Sequence, residues 1–200
     1  YTPHLAKSWD FTNNDRDIVF HLRTDARWSD EVPATARDVQ LSFELYGDTA
    51  VASVRQSVVE HLRLTNGRRD ITKAVEPLND STVVFHFQST ASSRLFDTGV
   101  PLVPAHIFAK IPRKELRTHP INKSPVTCGP FSLGQWTPMQ EIVLVKSKLF
   151  GEAFVPKLSK LIFRVLPDYC TRAAQLQSGE VDLVSGLRIE DSELLSRSPH

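Results

Sequence analysis

Trp28-Ser29-Asp30-Glu31-Val32-Pro33-Ala34-Thr35-Ala36-Arg37-Asp38-Val39 reads as a loop that turns into a helix. Thr35 is placed to cap the free amide of Asp38, whose acidic side chain also suits the positive helix end. Ala36, Val39, Phe43 and Tyr46 then recur at spacings of three or four and give one apolar face, with Gly47 ending the helix. Just upstream the period changes to two. Ser8-Trp9-Asp10-Phe11 alternates, Thr12-Asn13-Asn14-Asp15 supplies turn residues, and Ile18-Val19-Phe20-His21-Leu22-Arg23 runs as a strand. Ile18, Phe20 and Leu22 share one side of that strand, while His21 faces the other way. Val83-Val84-Phe85-His86-Phe87 repeats the pattern. Phe20, Leu22, Phe85 and Phe87 are therefore expected on one buried sheet face, with Val39 and Phe43 packed over it and both histidines pointing outward.

Farther along, Val54, Val58 and Leu62 are in register for a second helix from about 51 to 62, and Asn66-Gly67 is a turn. A stretch punctuated by Pro101, Pro104, Pro112, Pro120 and Pro125 carries helical Arg94-Leu95-Phe96 and a short helix near Pro104. A boundary is placed near its end, giving domains 1–120 and 121–200. The remainder reads as strands Phe131-Ser132-Leu133, Glu141-Ile142-Val143-Leu144-Val145 and Leu161-Ile162-Phe163-Arg164-Val165. A helix capped by Asp168 and closed before Gly179 follows, then a short strand Val181-Asp182-Leu183-Val184 and a polar helix from Glu190 to Ser196. Such mixing implies an α/β class, mixed α+β, with at least one mixed sheet.

Composition narrows the function classes. Hydrophobic residues at 40% and charged residues at 24% exclude disorder and collagen-like repeats. The net charge is +1 and no basic stretch is interleaved with aromatics, so a nucleic-acid surface has no electrostatic basis. No apolar run reaches the roughly 20 residues that span a bilayer. Cys128 and Cys170 fit no zinc spacing, and free thiols are the simpler reading than a disulfide. Seven histidines invite a metal, but outward His21 and His86 are more simply solvated, so no metal site is assigned. There is no Gly-x-Ser-x-Gly elbow, no phosphate-binding glycine motif and no identifiable carboxylate pair. No enzyme and no cofactor is expected. The opening at Tyr1, the single Met139 and the end at His200 read as cuts through a longer protein.

Several segments, in order, resemble the large solute-binding proteins of the peptide/nickel ABC transporter family. Leu5-Ala6-Lys7-Ser8-Trp9, Phe20-His21-Leu22-Arg23 and Ala26-Arg27-Trp28-Ser29-Asp30 are similar to its early signature. That signature continues Asp-Gly-x-Pro-x-Thr-Ala-x-Asp-Val, and here Glu31 replaces the glycine, which bears on the local turn. Val103-Pro104-Ala105-His106-Ile107-Phe108 resembles a Pro-Lys-His-Ile segment. Pro125-Val126-Thr127-Cys128-Gly129-Pro130-Phe131 is similar to a Pro-Val-Gly-Thr-Gly-Pro-Tyr/Phe loop, with Thr127 and Cys128 in place of Gly and Thr. Leu161 to Val184 follows the family throughout.

The resemblance implies a periplasmic-binding-protein-like fold of type II, seen here as a partial first lobe. By that comparison residues 1–120 are its accessory subdomain and 121–200 part of its core, with the second lobe absent. It further implies a monomer that binds a small molecule or oligopeptide, outside the cytoplasmic membrane in the periplasm or anchored extracellularly, and delivers it to an ABC permease. Nickel complexes, haem and oligosaccharides are alternative ligands of this design, and a non-transport interaction module is another reading. Thr127, Cys128, Gly129 and Phe131 are the candidate ligand-binding residues. Their loop reads equally as a cleft wall, where glycine lets a backbone approach ligand, and as a tight turn feeding a strand. Trp9, Trp28 and Trp136 are expected in packing rather than as ligand walls.

Overall fold

The computed structural model describes residues 4–90, 94–147 and 156–196. Strand β1 (Ala6–Thr12) and strand β2 (Asp17–Leu22) form an antiparallel hairpin, as the alternation requires. Its turn holds Asn13, Asn14 and Asp15 at φ of 54°, 53° and 57°. Asn and Asp tolerate this left-handed region better than most residues, and Asn13 Nδ2 donates to Asp17 Oδ2 at 3.1 Å.

Helix α1 (Ala36–Gly47) begins at Thr35, whose N–H donates to Asp38 Oδ2 at 2.6 Å. The tight pair β3 (Leu64–Thr65) and β4 (Arg68–Arg69) turns through Asn66 at φ 51° and Gly67 at φ 74°. One turn of helix, α2 (Ile71–Ala74), leads into β5 (Val75–Asn79) and β6 (Thr82–His86). The four long strands order as β1-β2-β6-β5, with β2 and β6 antiparallel at the centre. Pro77 lies in edge strand β5, where a missing N–H leaves no gap in the ladder.

Ile18, Phe20, Leu22, Val83, Phe85 and Phe87 are buried together on one face of that sheet, and Val39 and Phe43 of α1 join them. The Phe43 ring meets Phe85 edge-on at 4.8 Å between centroids, and Phe85 meets Phe20 the same way at 5.4 Å. This is the expected face assignment. Helix α1 also buries a second side. Leu41 and Leu45 pack with Ala105, Ile111 and Leu116 from the proline-punctuated stretch, which supplies α3 (Arg94–Thr98) and α4 (Ala105–Phe108). Gln40 is buried between, its Nε2 donating to the Val75 and Thr72 carbonyls at 2.8 and 3.0 Å.

Two expectations are corrected. The helix from 51 to 62 is only a 3-10 turn over Gln56–Val59. Ala52 sits at φ 50°, which breaks a right-handed helix, and Val54 is wholly exposed while Leu62 is buried. The stretch 181–184 is not a strand, and Leu183 is 87% exposed. Among the described residues no strand pairs with it, and an unpaired strand has no ladder to hold it.

Strands β7 (Phe131–Thr137), β8 (Glu141–Lys146) and β9 (Lys160–Arg164) form a three-stranded sheet in that order. Helix α5 (Tyr169–Gln177) starts as expected, with Asp168 Oδ1 accepting from Thr171 N–H at 2.7 Å, and Gly179 follows at φ 74°. Helix α6 (Ile189–Ser196) completes the described chain. The chain divides into two compact units, Tyr1–Leu133 with Val145–Ser159, and Gly134–Leu144 with Lys160–His200. No helix among the described residues is long and apolar enough to cross a membrane.

Candidate functional site

The first unit contains a cavity of about 720 Å³. Its apolar wall takes in Trp9, Phe20 and Phe85 of the sheet, Val39 of α1, and Leu102 and Pro104. Thr127, Cys128 and Gly129 line it as well, so three of the four candidate residues come together there. Phe131 stands outside the lining; it opens β7 half-buried, and its carbonyl accepts the Thr127 hydroxyl at 3.4 Å.

The loop is held to the turn before α1. Ser29 N–H donates to the Thr127 carbonyl at 2.7 Å, and Thr127 N–H donates back to Ser29 Oγ at 3.1 Å. Trp28 roots that turn at 1% exposure, and its Nε1 is buried without a hydrogen-bond partner among the described residues. Glu31 occupies φ 72°, the left-handed conformation that the glycine of the family signature would adopt without strain. Asp30 Oδ2 lies 2.7 Å from His106 Nε2 on α4. Asp38, 3% exposed, accepts the Ala105 N–H at 2.6 Å through Oδ1, which fixes the start of α4.

Gly129 bears on both readings of the loop. Its φ is not positive, and a Cβ placed on it would meet only the Phe131 carbonyl, at 3.9 Å. Neither backbone conformation nor crowding among the described residues demands glycine there. Among the described residues Gly129 N–H has no acceptor. Among the described residues the loop thus offers an unpaired amide beside an apolar wall, the combination by which a small-molecule site holds one polar group and covers the rest.

The electrostatics of the cavity are quiet. Arg23 reaches its edge but is engaged by Asp25 through two bonds of 3.0 and 2.6 Å. That guanidinium holds the Asp25 carboxyl below its usual range. Burial, with a smaller contribution from the nearby Asp38 carboxylate, pushes the Cys128 thiol up to about 11, so it is an inert thiol at neutral pH. Cys128 and Cys170 are both free, the latter exposed.

The histidines differ from expectation in one respect. His21 is half-exposed and pairs with Asp10 at 3.0 Å. His86 is not solvated: its side chain is 12% exposed, with Nδ1 2.9 Å from Asp17 Oδ1 and Nε2 3.5 Å from Glu76 Oε2. The strand register sets Asp17 opposite His86 and His21 opposite Thr82. Four residues at roughly 3.3 Å each put the two histidines on the order of 13 Å apart, too far to share a metal. Among the described residues no group of three or more His, Cys, Asp or Glu side chains could hold one. Trp28 is buried and Trp9 packs in part against the sheet core of Phe20 and Phe85, whereas Trp136 is 44% exposed.

The wall contributed by Leu102, Pro104 and Trp28 was not identified as part of a site in the sequence. For Leu102 and Pro104 the sequence offered the density of prolines, which marks rigid backbone without saying what it faces, and Trp28 was read as packing rather than as a ligand wall.

The cavity and loop can be set beside known proteins. Over 194 residues the chain is 27% identical to the periplasmic oligopeptide-binding protein OppA of Escherichia coli (strain K12), covering 92% of this chain and 35% of that protein. It is 24% identical over 207 residues to heme-binding protein A of Haemophilus influenzae, covering 98% of this chain and 38% of the other. The oligopeptide-binding protein AppA of Bacillus subtilis, solved with a nonapeptide, superposes with a TM-score of 0.82 at 22% identity, over 98% of this chain and 37% of its own. NikZ of Campylobacter jejuni, solved with Ni(L-His), gives 0.76 at 24% identity, over 90% and 34%. These likenesses establish the periplasmic-binding-protein-like fold, and the chain spans little more than a third of each relative's length. The model of the bacterial extracellular solute-binding proteins, family 5 middle region, matches residues 1–200 throughout. The chain belongs to the family 5 extracellular solute-binding proteins.

Proposed function

We propose that this chain forms part of the first lobe of an ABC importer's substrate-binding protein, which captures an oligopeptide outside the cytoplasmic membrane and passes it to the permease. In this reading residues 1–120 are the accessory subdomain and 121–200 part of the core. The protein works as a monomer, in the periplasm or anchored at the extracellular face, and its task is binding rather than catalysis. Thr127, Cys128, Gly129 and Phe131 form the ligand loop, with Phe131 acting through the backbone that closes it.

The observation that carries the proposal is the Gly129 amide, unpaired among the described residues, in the lining of an apolar cavity. A peptide carbonyl is a natural acceptor for that N–H, and an apolar side chain suits the adjoining wall. Relatives named for oligopeptide and di/tripeptide binding favour this ligand class.

Gly129→Ala tests the assignment. Among the described residues a methyl at this position meets only the Phe131 carbonyl, at an ordinary contact distance of 3.9 Å, so folding should be unimpaired, while an approaching ligand backbone is blocked. Calorimetric titration with a mixed oligopeptide library should show affinity falling roughly tenfold, as for loss of a contact worth about 1.4 kcal/mol. Titrations with Ni(L-His) and with haem run in parallel. Unchanged peptide affinity in the variant, or saturable binding of only the nickel complex or haem, would overturn the proposal.

A further inference from the structure

We infer that Ser29 is a positioning residue for the ligand loop, and that the Asp30–His106 pair is the brace that holds Ser29 in place. The inference rests on the proposed role of residues 127–129, and extends the site to a turn almost a hundred residues earlier in the chain.

The geometry is a chain of fixed points. Ser29 and Thr127 exchange two hydrogen bonds, at 2.7 and 3.1 Å, so one residue holds the peptide units on both sides of Thr127. Cys128 and Gly129 follow directly and line the cavity. Other described bonds to the loop act farther on: Thr127 Oγ1 to the Phe131 carbonyl at 3.4 Å, and Ser147 N–H to the Pro130 carbonyl at 2.9 Å. The turn is itself pinned on either side of Ser29. Trp28 is buried at 1% exposure, and Asp30 Oδ2 meets His106 Nε2 at 2.7 Å. The position of His106 is determined in turn by Asp38, which receives the Ala105 N–H at 2.6 Å. The hydroxyl of Ser29 therefore does a job that its backbone alone does not: it is the acceptor that stops the Thr127 amide from rotating away.

Cys128 provides a readout that needs no ligand. Its thiol is half-buried beside the Asp38 carboxylate and pushed up to about 11, so it reacts slowly in place and faster when the loop departs from its position. In the full chain carrying Cys170→Ser, a water-soluble aromatic disulfide reagent reports the reactivity of Cys128 alone. Ser29→Ala should raise the labelling rate roughly five- to tenfold, the effect of losing one hydrogen bond. Ser29→Thr, which restores the hydroxyl, should return it to near the parent rate. His106→Ala should raise it by a smaller factor. The thermal melt should fall by no more than about a few degrees in all three, because the core around Phe43 and Phe85 does not include these residues. A parent labelling rate in Ser29→Ala, or no rescue by Ser29→Thr, overturns the positioning role; a parent rate in His106→Ala overturns the brace. Since labelling is measured without ligand, loss of peptide binding in Gly129→Ala with no labelling change in Ser29→Ala sinks this inference while leaving the proposed function intact. The opposite pair of results does the reverse.

Discussion

Replacing Glu31 by glycine should stabilise the first unit. Glu31 sits at φ 72°, where an L-residue pays for the approach of its Cβ to the carbonyl oxygen, about 1–2 kcal/mol. Glycine escapes that cost but loses more chain entropy on folding, about 0.5–1 kcal/mol. The difference leaves a gain on the order of 0.5–1 kcal/mol. Among the described residues no side-chain interaction offsets it: Glu31 is exposed, and its hydrogen bonds run through the backbone, N–H to the Trp28 carbonyl at 2.9 Å and carbonyl from Arg27 Nη1 at 3.3 Å. Urea unfolding followed by tryptophan fluorescence checks this. A Trp136→Phe background leaves Trp9 and Trp28 as reporters, both in the first unit. The midpoint should rise with the slope against urea unchanged. Glu31→Ala is the control, because it removes the same side chain but keeps the Cβ. If alanine stabilises as much as glycine, the gain comes from the lost carboxylate and the backbone argument is refuted; if glycine destabilises, the strain does not exist.

Phe43→Ala should cost about 3–5 kcal/mol by thermal or chemical melt, since its ring is 1% exposed between α1 and the sheet. Asp38→Ala should cost about 3 kcal/mol in the same assay, because two backbone N–H groups, of Thr35 and Ala105, lose a charged acceptor at 2.6 Å. The reactivity of Cys128 towards iodoacetamide should keep rising to about pH 11, whereas in the denatured chain it levels off near an ordinary thiol value of about 8.5. The sign for stability follows: folding favours the protonated thiol, so this contribution is complete below about pH 8.5 and is lost as the pH climbs towards 11.

How much was legible in advance depended on whether one segment or several determined the outcome. The hairpin, the α1 start and the Phe20–Phe85 face could be read because period-two and period-three-to-four patterns belong to single segments. The second buried side of α1 was missed. Leu41 and Leu45 break no pattern, and what they meet, Ile111 and Leu116, is set only when the proline-rich stretch folds back. The failed helix at 51–62 shows the converse, since three valine and leucine positions in register were outweighed by Ala52 entering the left-handed region. For the site, glycine and proline announced a special loop, but its partner Ser29 is 98 residues away and no local signal joins the two. His86 looked like a surface residue because the strand pattern gives a side, and whether a side is covered depends on Asp17 and Glu76 from neighbouring strands.

The strand order β1-β2-β6-β5 also sets the sequence of events in folding. The hairpins β1–β2 and β5–β6 each join neighbours in the chain and can close within microseconds. The seam between them, Ile18 against Phe85 and Phe20 against Val83, links residues more than sixty positions apart and must wait for a large loop to close. Until it does, each hairpin shows its phenylalanines to water. Zipping that central seam is therefore the expected committing step: substitutions that weaken it should slow folding, whereas loosening the outer strands should chiefly speed unfolding, as a chevron plot would show.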